Sequence, residues 1–229
     1  MKKIFLFGLA ISMATLGLTS CNDDHDQLTD SRVTYFANLE LLGDDVIELN
    51  VGDTFVDPGF VATEGEEDIT SKVKVTGTVD TSKGGFYTLS YSVSNKDNFS
   101  VEASRLVMVK NPNSLASAYY GESQYGSRHY YNSPITITDR GNGTYLIDDL
   151  VGGFYCYGRY PGYEPTYDFH CEAILKLNAD NSIELVQVGS WYWAPDFPTI
   201  TSGTYDPATG TVTLIEDFGG SPLKVVLTK

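Results

Sequence analysis

The sequence predicts an all-β protein of two dissimilar domains, a small antiparallel sandwich followed by an antiparallel β-meander that forms a barrel or a sandwich. Three observations carry the prediction. Apolar residues alternate with polar ones, as at Ile47, Leu49 and Val51 and at Tyr87, Leu89, Tyr91 and Val93, which is the period of half-buried strands and not of helices. Turn-forming pairs such as Gly52-Asp53, Pro58-Gly59, Gly84-Gly85 and Asn142-Gly143 separate the runs. The halves also differ in kind, because 13 of the 16 tyrosines and both tryptophans follow Asn113.

The chain opens with Lys2 and Lys3, an apolar run from Ile4 to Leu16, and the small-residue site Leu18-Thr19-Ser20-Cys21. Residues 1–20 read as a lipoprotein signal peptide, with Cys21 as the residue that carries the lipid. The apolar run falls short of the roughly 20 residues that a bilayer span requires. An ordinary secretory signal ending near a cysteine is the alternative. Residues 21–31 form an acidic tether, with Asp23, Asp24 and Asp26 beside the anchor. This segment resembles the acidic export signal of surface-exposed lipoproteins in Bacteroides-type bacteria. The implied location is the outer membrane, held by the lipid on Cys21 and facing the exterior.

Loss of residues 1–20 removes two lysines, taking the net charge from −15 to −17. Such an acidic surface excludes nucleic acid as a partner, since that affinity comes largely from Lys and Arg neutralising phosphates. About 209 residues remain, enough for one large or two ordinary domains.

Residues 32–110 make the first domain. Val101, Ala103, Val107 and Val109 continue the alternation on its last strand. The strings Gly52-Asp53-Thr54-Phe55-Val56-Asp57-Pro58-Gly59-Phe60-Val61-Ala62, Asp68-Ile69-Thr70, Gly85-Phe86-Tyr87-Thr88-Leu89-Ser90-Tyr91 and Arg105-Leu106-Val107-Met108-Val109 resemble the bacterial immunoglobulin-like domain of surface proteins. That resemblance implies an immunoglobulin-like sandwich acting as a spacer. The chain departs from the family pattern at Asn95-Lys96-Asp97-Asn98. Asp57, Glu64, Glu66, Glu67 and Asp68 offer oxygen ligands of the kind calcium takes, but EF-hand spacing is absent and solvated loop acids are the simpler reading. Residues 111–114, with Pro112, form a linker.

Residues 115–229 make the aromatic-rich second domain. Hairpins are legible at Ile135–Thr138 with Thr144–Ile147, at Ala173–Leu177 with Ser182–Val188, and at Gly203–Tyr205 with Thr211–Ile215, and a final strand runs from Leu223 to Leu227. The segments Gly141-Asn142-Gly143-Thr144-Tyr145, Asp149-Leu150 with Gly152-Gly153-Phe154-Tyr155, and Gly203-Thr204-Tyr205-Asp206-Pro207-Ala208-Thr209-Gly210 resemble the C-terminal domain of uncharacterised Bacteroides surface lipoproteins. Many of those belong to polysaccharide-utilisation loci. The resemblance supplies a context and no catalytic residues.

Two aromatic groups are candidate ligand sites. In an extended strand Trp191 and Trp193 share one face and Tyr192 takes the other, so the two indoles form a platform for the C–H faces of a sugar; core filling is the competing use. Tyr155 to Tyr167 reads as a loop rich in Gly and Pro, whose Tyr157, Tyr160 and Tyr163 are exposed for recognition, with Arg159 and Glu164 as polar partners. Cys156 and Cys171 either form a disulfide outside the cytoplasm or remain two buried thiols. No catalytic residue is assigned. Only three histidines exist, zinc and phosphate-binding motifs are missing, and none of the combinations offered by Asp148, Asp149, Glu164, Asp168, Glu172 and Asp196 stands out as a glycosidase pair. No enzyme, cofactor or metal is expected. The function expected is glycan binding by aromatic stacking at the cell surface; the alternative is a non-catalytic accessory that contacts outer-membrane transport proteins.

Overall fold

The computed structural model describes residues 33–164 and 166–229. The expected signal peptide, the lipid-bearing Cys21 and the acidic tether therefore lie outside the described residues. Phe36 to Lys229 cluster as one unit. Its first part contains β1 (Ala37–Leu41), β2 (Val46–Asn50), β3 (Phe60–Glu64), β4 (Glu67–Asp68), β5 (Lys74–Thr76), β6 (Gly85–Ser94) and β7 (Ser100–Lys110). One sheet has the order β1-β3-β4 and the other β2-β7-β6-β5. All pairs are antiparallel except β2 with β7, which is parallel. Along β6 the alternation places Leu89, Tyr91 and Val93 inward and Thr88, Ser90 and Ser94 outward. Ala62, Ile69 and Val93 pack together with Ala37, Leu39, Val73 and Val101.

The segment that departs from the family pattern makes a tight turn. Asn98 adopts φ 65°, a left-handed conformation that Asn tolerates, and Asn95 Oδ1 accepts hydrogen bonds from Asp97 N at 3.0 Å and Phe99 N at 2.8 Å. Four of the five acids considered for calcium, Asp57, Glu64, Glu67 and Asp68, have protein partners. Asp57 pairs with the buried Arg105 and accepts from Tyr91 Oη at 2.8 Å. Asp68 accepts from Thr70 N at 2.8 Å, Glu67 pairs with Lys72 at 3.3 Å, and Glu64 accepts from Lys96 N at 3.1 Å.

The second part contains β8 (Ser117–Tyr125), β9 (Arg128–Gly141), β10 (Thr144–Ile147), β11 (Ala173–Leu177), β12 (Ile183–Val188), β13 (Thr199–Asp206), β14 (Thr211–Phe218) and β15 (Ser221–Thr228). They form one antiparallel sheet in the order β12-β11-β10-β9-β8-β15-β14-β13. Neighbours in space are neighbours in sequence, and the last strand closes on the first. The two edge strands also approach each other, through a bridge between Ser182 and Thr204 and a bond from Tyr205 N to Asn181 O at 2.9 Å. The sheet is thus a nearly closed eight-stranded barrel, which decides between barrel and sandwich. Its interior is filled by Ile135, Ile137, Ile147, Leu175, Leu214, Val225 and Leu227, all fully buried, as a barrel of this size requires.

The two parts pack at a short junction. Phe86 meets Tyr120 edge to face at 6.0 Å, and Asn111 N donates to Ser117 Oγ at 2.8 Å. The antiparallel topology also decides what meets at the far end of the barrel. Ala173 at the start of β11 pairs with both Ile147 at the end of β10 and Val188 at the end of β12. The long β10–β11 connection and the β12–β13 connection therefore leave from the same barrel end. Tyr125 and Phe218, in contact at 5.7 Å, come to that end from the β8–β9 and β14–β15 turns.

Candidate functional site

The β10–β11 connection is shaped by two adjacent aspartates. Both oxygens of Asp148 accept from Thr136 N, at 3.0 and 2.9 Å. Asp149 is fully buried, and its carboxylate accepts from Val151 N at 3.3 Å, Gly153 N at 2.9 Å and Cys171 N at 3.0 Å. One side chain thereby ties the start of the connection to its end. Burial pushes the Asp149 pKa up, and its backbone donors pull the other way. Both aspartates serve the backbone here.

After Gly153 the chain forms a π-helical turn over Phe154–Arg159, with Gly158 N donating to Gly153 O at 3.1 Å and Tyr160 N to Tyr155 O at 2.8 Å. Such turns are rare and concentrate at functional sites. Two glycines make it feasible. Gly153 has φ 80°, and a Cβ there would lie 2.2 Å from Ser133 Oγ; at Gly158 a Cβ would lie 2.3 Å from the Tyr130 ring. We expect Gly153→Ala to cost about 1–3 kcal/mol through left-handed strain and overpacking, read as a lower denaturant midpoint; an unchanged midpoint would show that the turn tolerates a side chain.

The aromatic residues expected to form two sites divide instead into three groups. Trp191 is buried in the barrel core, with Nε1 donating to Phe169 O at 3.3 Å. The expected platform is not formed: Trp191 and Trp193 lie in a turn, with Ala194 N bonded to Trp191 O at 3.1 Å, and their rings meet at 75°. A turn breaks the period of two that a shared strand face needs. The second group is an aromatic dish of about 310 Å³ lined by Tyr160, Tyr163, Tyr167, Phe169, Tyr192 and Trp193. Phe169 stacks on Trp193 with centroids 5.1 Å apart and planes at 18°, and on Tyr167 at 6.1 Å and 15°. Tyr160 lies nearly parallel to Trp193 at 6.5 Å. Tyr163 and Tyr192 are about half exposed, at 52% and 55%. The Arg159 guanidinium sits over the Tyr160 ring at 5.5 Å.

The third group does not face the dish. Tyr157 turns to His170, with its Oη 3.4 Å from Nε2, and Glu164 places Oε1 3.0 Å from His170 Nδ1. Asp168 Oδ1 approaches the same Nδ1 at 2.8 Å. Burial acts to lower the His170 pKa, but Asp168, Asp149 and Glu164 together raise it. Cys156 joins this group, so that Cys156, Glu164, Asp168 and His170 bring four donor atoms within 4.8 Å of one another. Sequence reasoning missed this cluster, since the spacings of eight, four and two residues match no familiar ligand motif. It also missed Phe169, whose role depends on a loop path that no periodicity records.

The disulfide considered for Cys156 and Cys171 is not formed; both are buried free thiols. Cys171 belongs to the barrel core, whereas Cys156 lies on the π-helical turn beside Glu164, so the two serve different surroundings. Burial raises both thiol pKa values.

Two family models match the chain. A family model for a bacterial surface protein Ig-like domain matches residues 39–109, and a C-terminal-domain family model matches residues 110–229, just over half of the chain. Among solved structures, the lipoprotein BT2262 from Bacteroides thetaiotaomicron is 30% identical, with a TM-score of 0.60 over 85% of this chain and 100% of that one. A second structure contains CBM51-2, in complex with GlcNAc, and INT domains of ZmpB from Clostridium perfringens. It is 17% identical, covering 84% of this chain and 44% of that one, and its TM-score of 0.27 carries no argument. No curated protein matches significantly.

Proposed function

The chain belongs to the family of surface lipoproteins in which a bacterial Ig-like domain precedes this C-terminal domain, and from that premise we propose that it captures a glycan in the aromatic dish at the loop-covered end of its barrel. The observation that carries the reading is the dish itself. Tyr160, Tyr163, Tyr167, Phe169, Tyr192 and Trp193 line one open depression, although aromatic rings of this size ordinarily go to the core. Their faces suit the C–H faces of sugar rings, and the tyrosine hydroxyls and the Trp193 indole N–H provide polar handles. Arg159 at the edge adds a donor for ring hydroxyls or an acidic sugar.

In this reading the Ig-like domain is the stalk. The lipid on Cys21 holds the protein to the outer membrane with the barrel outward, and the protein works in polysaccharide capture beside outer-membrane transport proteins. Binding is by stacking, without bond making.

A glycan panel screened against the full mature chain tests the reading. We expect the double substitution Tyr192→Ala plus Trp193→Ala to weaken binding at least about tenfold, which is about 1.4 kcal/mol, with an unchanged circular dichroism spectrum. If the unsubstituted chain binds no glycan on the panel, direct recognition fails and the accessory role takes its place.

A further inference from the structure

We propose that Cys156, Glu164, Asp168 and His170 form a binding site for a divalent transition metal, of which Zn²⁺ fits best, and that the ion staples the loop bearing the aromatic dish. Four donor atoms, one from each residue, already lie within 4.8 Å of one another without any ion to gather them. Zinc–donor bonds of about 2.0–2.3 Å put donors in a tetrahedron about 3.3–3.8 Å apart, so the widest pair needs to close by about 1 Å while the carboxylate oxygens draw back slightly from His170 Nδ1. The donor set selects the metal class. A thiolate and an imidazole disfavour magnesium and calcium, while one sulfur, one nitrogen and two carboxylate oxygens suit zinc.

The arrangement around His170 supports the site independently of the donor count. Nδ1 faces Asp168 Oδ1 at 2.8 Å and Glu164 Oε1 at 3.0 Å, yet a ring nitrogen carries a single proton and cannot give a linear hydrogen bond to both. A cation at that point satisfies both carboxylates at once. The other ring nitrogen, Nε2, faces Tyr157 Oη at 3.4 Å, the kind of partner that fixes the tautomer of a metal-bound histidine. Asp149 adds negative charge close to both Cys156 and His170. Glu164 and Asp168 are exposed and Cys156 is buried, so the ion enters from solvent and seats against the thiol. On binding the Sγ–H bond breaks, a zinc–sulfur bond forms, and the proton leaves to the buffer; His170 binds through unprotonated Nδ1.

Cys156 lies on the π-helical turn and His170 three residues before β11. An ion joining them closes the segment that carries Tyr160, Tyr163, Tyr167 and Phe169. The inference does not depend on the dish binding a glycan.

The test uses the full mature chain, freed of metal by a chelator and titrated with Zn²⁺ and, separately, with Co²⁺. We expect one equivalent of Zn²⁺ to bind and raise the melting temperature, and Co²⁺ to give tetrahedral visible bands with a thiolate charge-transfer absorption. Cys156→Ser removes the charge-transfer absorption. Asp168→Asn, at an exposed position that leaves the core untouched, weakens Zn²⁺ affinity at least tenfold with an unchanged far-UV spectrum. Absence of a thiolate band with Co²⁺, or a melting temperature indifferent to Zn²⁺, overturns the site. So does equal Zn²⁺ affinity in Asp168→Asn and the unsubstituted chain.

Discussion

Replacing Arg105 by Met is expected to cost about 3–5 kcal/mol of stability, the range seen when one partner of a buried ion pair is removed. Arg105 is fully buried. Its guanidinium donates to Asp57 Oδ1 and to Leu42 O, reaches Tyr91 Oη at 3.4 Å and Gly59 O at 3.5 Å, and its Nε donates to Asp44 O at 3.0 Å. One side chain therefore joins the β1–β2 connection, the turn before β3 and strand β6. Met fills most of the volume but takes the guanidinium away from the Leu42 and Asp44 carbonyls and leaves the Asp57 charge with only its neutral donors, Tyr91 Oη and Gly59 N, and each unsatisfied buried group costs about 1–3 kcal/mol. Asp57 keeps some contact with solvent, its side chain being 27% exposed, which moderates the penalty. Adding Asp57→Leu to Arg105→Met should recover part of the loss, because removing both charges costs less than stranding one. Urea denaturation of the four combinations decides the matter. Equal stability of Arg105→Met and the unsubstituted chain would show that the pair contributes nothing net, and a double variant worse than the sum of the singles would show that Asp57 acts through other partners.

That network was only half legible in the sequence. Asp57 and Arg105 both fall in the strings that resemble the Ig-like family, but 48 residues separate them, and no local pattern reports a contact at that range. The barrel divides in the same way. Asn142-Gly143 marked its hairpin because left-handed turns need such residues, and the observed φ values of 56° and 72° agree. β8 and the first half of β9 went unread, since a register shift between Gly121 and Ser123 interrupts the alternation that would have revealed them. The candidate site was legible in composition and not in arrangement. An excess of aromatics after Tyr155 was visible, but whether Trp191 or Phe169 turns inward depends on a π-helical turn and on two connections meeting at one barrel end. Both are consequences of strand order, which periodicity does not encode.

Glu216 is expected to make the protein less stable as pH rises, and its removal to abolish that loss. The side chain is fully buried, and neither carboxyl oxygen has a hydrogen-bond partner among the described residues. Burial first, and then the nearby charge of Asp149, raise its pKa well above the ordinary glutamate range. An unfolded chain gives up this proton above about pH 4.3, while the folded chain keeps it. The folded state then binds the extra proton, so the stabilisation is complete below that pH and declines by about 1.4 kcal/mol per pH unit above it. The decline ends once the folded carboxyl itself ionises. Asp149 and His170, also raised in the fold, act with the same sign, so the slope of the unsubstituted chain alone does not isolate Glu216. The difference between variants does. Glu216→Gln should differ from the unsubstituted chain by a stability gap that grows from about pH 4.3 upward. Glu216→Met should in addition be more stable throughout, by about 1–3 kcal/mol, because it removes an unsatisfied polar group without leaving a cavity. Melting temperatures of the three proteins across this range provide the check. A gap independent of pH would mean that Glu216 does not titrate differently on folding, and a Met variant weaker than the unsubstituted chain would mean that its carboxyl has a partner in the barrel, such as an ordered water.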